Sequence, residues 1–331
     1  MARVLITGGA GYIGSHCAKA LAAAGHEGVV FDNFSTGHRD FVRWGPCIEG
    51  DIRDPAALGA ALADFRIDAV IHFAALAHVG ESIRFPDQYY DVNVNGTRVL
   101  LEAMVRAKVK RTVFSSSCAV YGEPDRMPIL EETPLRPVNP YGFTKFVCER
   151  MLEDFERAYA CRSARLRYFN AAGADPSGEL GEDHTPKRRI VSLALDAALG
   201  IQPAVGIFGT DYETPDGTAI RDYVHVSDLA RAHVLALHHL LEGGATIAVN
   251  LGTGHGASVR QVIGLARRIT GTEIVVRGEK RRAGDPATLV AAPALASKLL
   301  GWSADCSGLE TIISDAWRWH RQRFSRSARN D

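Results

Sequence analysis

Apolar runs and polar stretches alternate along the first half of the chain, and the period of the pattern switches between that of a strand and that of a helix. Val4-Leu5-Ile6 leads into turn residues and then into a segment whose apolar positions recur at helical spacing; the cycle repeats, predicting strands at 3–7, 28–32, 69–73, 111–115 and 164–169 with helices between them. Continuous apolar strands separated by helices predict an α/β fold, a doubly wound parallel sheet covered on both faces. Ligands of such a sheet sit at the carboxyl ends of its strands, where Asp32, Phe73-Ala74-Ala75, Ser115-Ser116-Ser117 and Asn170 fall. Beyond Asn170 the regularity fails. Gly, Pro and Asp cluster at 171–187 and 209–218, which predicts a smaller α/β lobe, with a strand returning near 246–251. The expected division is 1–175 for the ligand-binding body, with returning segments near 218–255, and 176–331 mostly for the lobe. The last dozen residues, basic and Ser-rich, are expected to form a frayed tail.

The first strand runs straight into Gly8, Gly11 and Gly14 and then into an amphipathic helix. Glycines at this junction let the backbone turn tightly and approach a pyrophosphate, which rests on the amide-rich helix N-terminus; the body is therefore expected to be Rossmann-like. Asp32 closes the next strand. A carboxylate there accepts hydrogen bonds from an adenosine ribose and repels a 2′-phosphate, which favours NAD over NADP. Asn33 extends this polar rim, and Asp51-Ile52 supplies a side chain and an amide for the adenine.

Composition narrows the partners. Lys+Arg and Asp+Glu both number 38, so no charge excess points to nucleic acid or to a membrane surface. No long apolar run and no leader pattern precede the first strand, and the six cysteines show neither metal spacing nor a disulfide framework. Buried free thiols, no metal site and a cytoplasmic setting are expected.

Candidate chemistry lies at Ser117 and at Tyr141-Gly-Phe-Thr-Lys145. Positions i and i+4 share a helix face, so the phenol and the ammonium can meet one ligand. A phenol loses its proton near pH 10, and a nearby cation favours the phenolate, making Tyr141 a general base that shares its proton with Ser117.

Together the glycine pattern, the Ser-rich strand end and the Tyr-x-x-x-Lys pair resemble the extended short-chain dehydrogenase/reductase family. Within it, nearly the whole chain is similar to the UDP-glucose (UDP-galactose) 4-epimerase group, through GGAGYIGSH, EGDIRD at 49–54, VGES at 79–82, YYDVNVNGT at 89–97, FSSSCAVYG at 114–122, NPYGFTK at 139–145, the run from Leu166 to Asp183, the run from Phe208 to Ala230, NLGTG at 250–254 and RRAGDPA at 281–287. The resemblance implies transient oxidation at C4 of a UDP-hexose, with NAD kept as a cofactor and no net redox change. It implies that Tyr141 takes the O4 proton, that Lys145 holds the nicotinamide ribose and lowers the Tyr141 pKa, and that Ser117 binds O4. It extends the cofactor contacts to Tyr12, Ile13, Asn93, Ser115 and Tyr168. Substrate contacts fall to Asn170, Arg189, Phe208, Arg221, Tyr223, Arg282 and Leu289, with Asp285 on the uridine ribose. It also implies a homodimer paired through helices at 93–104 and 141–159.

The chain departs from the best-known pattern in the sugar pocket. Ala77 stands where some members have Lys, Leu289 where some have Tyr, and Lys187-Arg188-Arg189-Ile190-Val191-Ser192 where a His or Asn and a Pro are usual. An N-acetylhexosamine or a pentose is therefore an alternative sugar. A dehydratase would need an acid and a carboxylate just after Ser117, where Cys118-Ala119 stand. An NAD-binding sensor or scaffold is the non-enzyme alternative.

Overall fold

The computed structural model of the chain describes residues 1–185, 187–282 and 284–324. The body contains strands β1 (Arg3–Thr7), β2 (Glu27–Asp32), β3 (Cys47–Glu49), β4 (Ala69–His72), β5 (Arg111–Ser117) and β6 (Arg162–Tyr168). The chain then leaves it through β7 (Asn170–Ala172), β8 (Val205–Phe208) and β9 (Ile220–His225), returns for β10 (Ile247–Leu251), and leaves again through β11 (Gly256–Ser258), β12 (Val276–Glu279) and β13 (Thr288–Leu289). The seven-stranded sheet is parallel throughout, in the order β10-β6-β5-β4-β1-β2-β3. Strand order reverses between β1 and β4, which opens a crevice at their carboxyl ends.

Side chains of a strand alternate between faces, and here both faces are buried. Val4 and Ile6 join Ile71, Val113 and Leu166 under the helices Tyr12–Ala23 and Val226–Leu241. Leu5 joins Val29, Phe31, Val70 and Phe114 under the helices on the other side, including Gly96–Arg106 and Pro140–Tyr159. Leu152 of the latter helix lies in this core with Met151 and Phe155 half-buried against it, while Phe146 packs towards Tyr121 and Ile129. The expected helix at 93–104 begins differently: Asn93 lies in a π-helical turn, Tyr90–Asn95, that precedes Gly96.

In the lobe, β9 is flanked by β11 and β13 and also pairs with β7, and β12 pairs with β8. Leu195, Val205, Ile207, Ile263, Ile312 and Ile313 form its core. Several expectations are corrected. Cys17, Cys118, Cys148 and Cys161 are buried, but Cys47, on the edge strand β3, and Cys306, in a loop, are exposed. Residues 320–324 belong to the helix Leu309–Phe324, whose apolar face packs on the lobe; of the expected tail, 325–331 lie outside the described residues. The segment Ala294–Leu300, read from sequence with the lobe, puts Ala296 and Leu300 into the body core beside Trp302, whose indole donates to the Asp228 carbonyl at 2.9 Å.

Candidate active site

The strand ends, the glycine turn and the lobe enclose one cavity of about 1740 Å³. At its floor Gly8 adopts φ +72°, and a Cβ there would stand 2.6 Å from the Ala74 amide nitrogen. A Cβ on Gly14 would stand 2.2 Å from the Gly8 carbonyl oxygen. The helix after Gly11 has no side-chain N-cap, so its first amides are left to a ligand. Asp32 is buried at the end of β2 and accepts from the amides of Ala10 (3.0 Å) and Phe34 (2.8 Å); burial pushes its carboxyl up from the usual range. Asn33 donates to Asp51 at 3.0 Å, and the Arg53 guanidinium holds the Asp51 carboxyl well below its ordinary value. Tyr12, Ile13, Ile52, Phe73, Ala74, Ala75, Ser115 and Tyr168 also face the cavity, the last two joined hydroxyl to hydroxyl at 2.6 Å. A cradle that side chains would fill, an amide-rich helix start and an acid at the second strand end fit a dinucleotide.

Asn93 is placed elsewhere. It lies behind the wall, bonded to both the amide and the carbonyl of Leu76 and to Thr144, so it clamps the loop after β4 without lining the cavity. No sequence pattern announces this clamp.

Asn139 caps the helix Pro140–Tyr159 by accepting from the Gly142 amide at 2.9 Å, and Pro140 occupies its first turn. This brings Tyr141 to the end of β5, where Ser117 lies, both on the cavity wall. Lys145 sits one turn on, but its ammonium donates to the Ser115 carbonyl at 2.8 Å. Burial pushes Lys145 down to about 8 and Tyr141 up; the Ser117 hydroxyl and the Arg189 charge pull the phenol back. The Lys145 ammonium thus rests on the strand-end carbonyl, one helical turn from the phenol.

The lobe completes the wall with Asn170, Arg189, Phe208, Arg221, Tyr223, Arg282, Asp285 and Leu289. Arg221 is in ion pairing with Asp285, not with its neighbour Asp222, which is fully buried and accepts from the amides of Thr253 (2.9 Å) and Gly254 (3.1 Å). The Arg282 guanidinium lies over the Phe208 ring at 3.8 Å. Asn170 donates to the Asp222 carbonyl at 3.2 Å. Sequence reasoning gave no role to Glu182, although it stands in a quoted block: buried, it accepts from Arg189 (2.8 Å) and from the Ser192 hydroxyl (2.6 Å). His78 and His184, also on the wall, are pushed down to about 4 by burial and by the nearby arginines, and lie in loops without periodicity.

Comparison with known proteins identifies the family. A curated UDP-glucose 4-epimerase of Rhizobium leguminosarum bv. trifolii is 50% identical over 317 residues, 96% of this chain and 97% of that protein. The crystal structure of a Brucella ovis UDP-glucose 4-epimerase in complex with NAD superposes with a TM-score of 0.94 at 52% identity, covering 96% of this chain and 98% of that one. A Stenotrophomonas maltophila UDP-glucose-4-epimerase with bound NAD and formylated UDP-arabinopyranose gives 0.95 at 41% identity over 99% and 100%. The model of the NAD dependent epimerase/dehydratase family matches residues 4–252, which carry the glycine cradle, Ser117, Tyr141 and Lys145, and the chain belongs to that family.

Proposed function

We propose that the protein interconverts UDP-galactose and UDP-glucose by 4-epimerisation with NAD as its retained cofactor. One observation carries the reading: the glycine cradle, the Ser117–Tyr141 pair and an arginine-bearing lobe wall open onto a single cavity. NAD, when bound, supplies a reversible two-electron acceptor at C4 of the sugar. Tyr141 holds and moves the proton of the C4 hydroxyl, and Ser117 hydrogen-bonds the same oxygen. Lys145, with its ammonium beside the Ser115 carbonyl, is the group for the nicotinamide ribose. Asp32, oriented by two amides, takes the adenosine ribose. Arg221 and Arg282 neutralise the diphosphate, a task suited to the guanidinium fork, and Asp285 meets the uridine ribose. Epimerisation is favoured over dehydration because the residue after Ser117 is Cys118, buried with its thiol pushed up to about 12, and so no acid for expelling water.

Leu289, on the wall, leaves room that a Tyr would fill, so the pocket also turns over UDP-N-acetylglucosamine, more weakly than the hexose. The protein works in the cytoplasm as a homodimer paired through Gly96–Arg106 and Pro140–Tyr159, near which Tyr90 and Phe143 are exposed with ring centroids 6.3 Å apart. No described helix is long and apolar enough to cross a membrane. Light scattering tests the dimer.

The decisive experiment incubates purified protein with UDP-galactose, no NAD added, and follows the anomeric proton signals. Appearance of UDP-glucose supports the proposal. Protein that carries NAD yet leaves UDP-galactose untouched overturns it and moves the pentose and N-acetylated sugars forward.

A further inference from the structure

The helix Pro140–Tyr159 carries Tyr141, Lys145 and Glu149 at successive intervals of four, so the three share one face. Glu149 is the member of this ladder that does not line the cavity, and it is 1% exposed. Its carboxylate accepts from the Ser116 hydroxyl at 2.5 Å and from two nitrogens of Arg167, Nε at 2.9 Å and Nη2 at 2.6 Å. Ser116 and Arg167 face each other in register across β5 and β6. Arg167 is buried as well, and its Nη1 donates to the Tyr121 hydroxyl at 2.9 Å.

A buried ion pair adds little to stability, because desolvation offsets its attraction. What this pair supplies is register. Lys145 donates to the Ser115 carbonyl at 2.8 Å, and one turn further along the helix Glu149 takes the side chain of the next strand residue, Ser116. The helix is thus fastened to two consecutive residues of β5, and the third in line is Ser117. Its first turn is pressed against the segment that follows Ser117: a Cβ on Gly142 would stand 2.4 Å from the Ala119 carbonyl oxygen. A slide or roll of the helix therefore displaces the Tyr141 phenol relative to Ser117.

We propose that Glu149 is a positioning residue for the proton transfer at C4: by holding Ser116 and Arg167 it fixes the helix against β5 in the register that brings Tyr141 to Ser117. The inference rests on the reading above in taking those two groups as the ones that meet the sugar hydroxyl. Two other ties on the helix do not reach β5. Asn139 caps its start, and Asn93 binds Thr144 to the turn Tyr90–Asn95.

Ser116→Ala removes the tie to the strand and leaves the Glu149–Arg167 pair whole. It is expected to lower kcat for UDP-galactose about fivefold, with KM and NAD content within about twofold of the parent, because the lobe and the glycine cradle are untouched. Glu149→Gln lowers kcat by about tenfold or more with the same split, and lowers Tm because Arg167 is left buried without its counter-charge. Replacing both partners, Glu149→Met with Arg167→Met, separates packing from positioning: Tm returns towards the parent while kcat stays low. Recovery of kcat together with Tm would show that the pair only supports the fold, and overturns the proposal. So does an unchanged kcat, or a loss carried by KM, in Ser116→Ala, which decides alone if the Glu149 variants do not fold. Amide hydrogen exchange of the cofactor-free protein gives a reading that needs no turnover. Peptides covering 114–119 and 139–146 should exchange about threefold faster or more in Ser116→Ala, with the rest of the sheet as in the parent, and unaltered exchange there overturns the proposal. A parent that leaves UDP-galactose untouched would count against the function and leave this inference to the exchange result.

Discussion

Lys145→Met should stabilise the fold while removing activity. The Lys145 ammonium is buried, 4% exposed, and burial lowers its pKa from 10.5 to about 8. Below pH 8 the group is charged both folded and unfolded, so the folded state bears the whole difference, about 3 kcal/mol at roughly 1.4 kcal/mol per pH unit. Between pH 8 and 10.5 the folded state sheds its proton while the unfolded chain keeps it; the destabilisation therefore fades as pH rises through that window and is gone above it. Methionine removes the burial cost and also the hydrogen bond to the Ser115 carbonyl, which contributes about 1 kcal/mol. The net gain at pH 7 is about 2 kcal/mol, or roughly 4 °C in Tm for a chain of this size. Melting curves of the two proteins, both stripped of cofactor because bound ligand itself stabilises, should show that gain at pH 7 and its disappearance by pH 10. UDP-galactose turnover should be lost at both. A variant less stable than the parent at pH 7, or an offset independent of pH, would refute the reasoning.

Tyr141→Phe should cut turnover to below a few per cent while NAD stays with the protein, measured as cofactor released on denaturation; greater residual activity would remove the phenol from its assigned role. Gly14→Ala places a methyl 2.2 Å from the Gly8 carbonyl oxygen and 2.9 Å from the Gly9 Cα, backbone atoms that no rotamer change can move aside. Cofactor content should fall at least about tenfold and Tm should drop, and unchanged content would show that the turn can relax. Leu289→Tyr should lower kcat/KM for UDP-N-acetylglucosamine relative to UDP-galactose by about tenfold; an unaltered ratio would dismiss the steric account of the pocket.

What the sequence makes legible here follows from locality. The glycines, Asp32 and the Tyr141–Lys145 spacing each encode a requirement met within a few residues, and the alternation of apolar strands with helices is enough to predict a parallel sheet. Where partners come from afar, the sequence is silent. The Arg221–Asp285 pairing spans two lobe segments, and nothing local distinguishes it from a bond between Arg221 and the adjacent Asp222. Lys145 follows Tyr141 by one helical turn in the sequence, yet the direction of its ammonium depends on a carbonyl of β5 that only the folded sheet brings near. Glu182 reads as one acid in a Gly-rich loop, and its buried pairing with Arg189 appears only once Ser192 and the following helix are placed. The exposed thiols of Cys47 and Cys306 fail the expectation of burial because one sits on the last strand of the sheet and the other in a loop.

The way the chain crosses between body and lobe bears on how such a protein changes its substrate. β7 follows β6 after one residue, β9 leads directly into the helix Val226–Leu241, and β10 closes the body sheet before β11 opens the lobe again. Recombination at a single junction therefore cannot hand over the sugar-binding half intact. A graft from a relative must be spliced at both excursions and must match β7, β9, β11 and β13 to one another. Point substitution on the cavity wall, at position 77 of the body or 189 and 289 of the lobe, demands no such coordination and offers the shorter route to a new sugar.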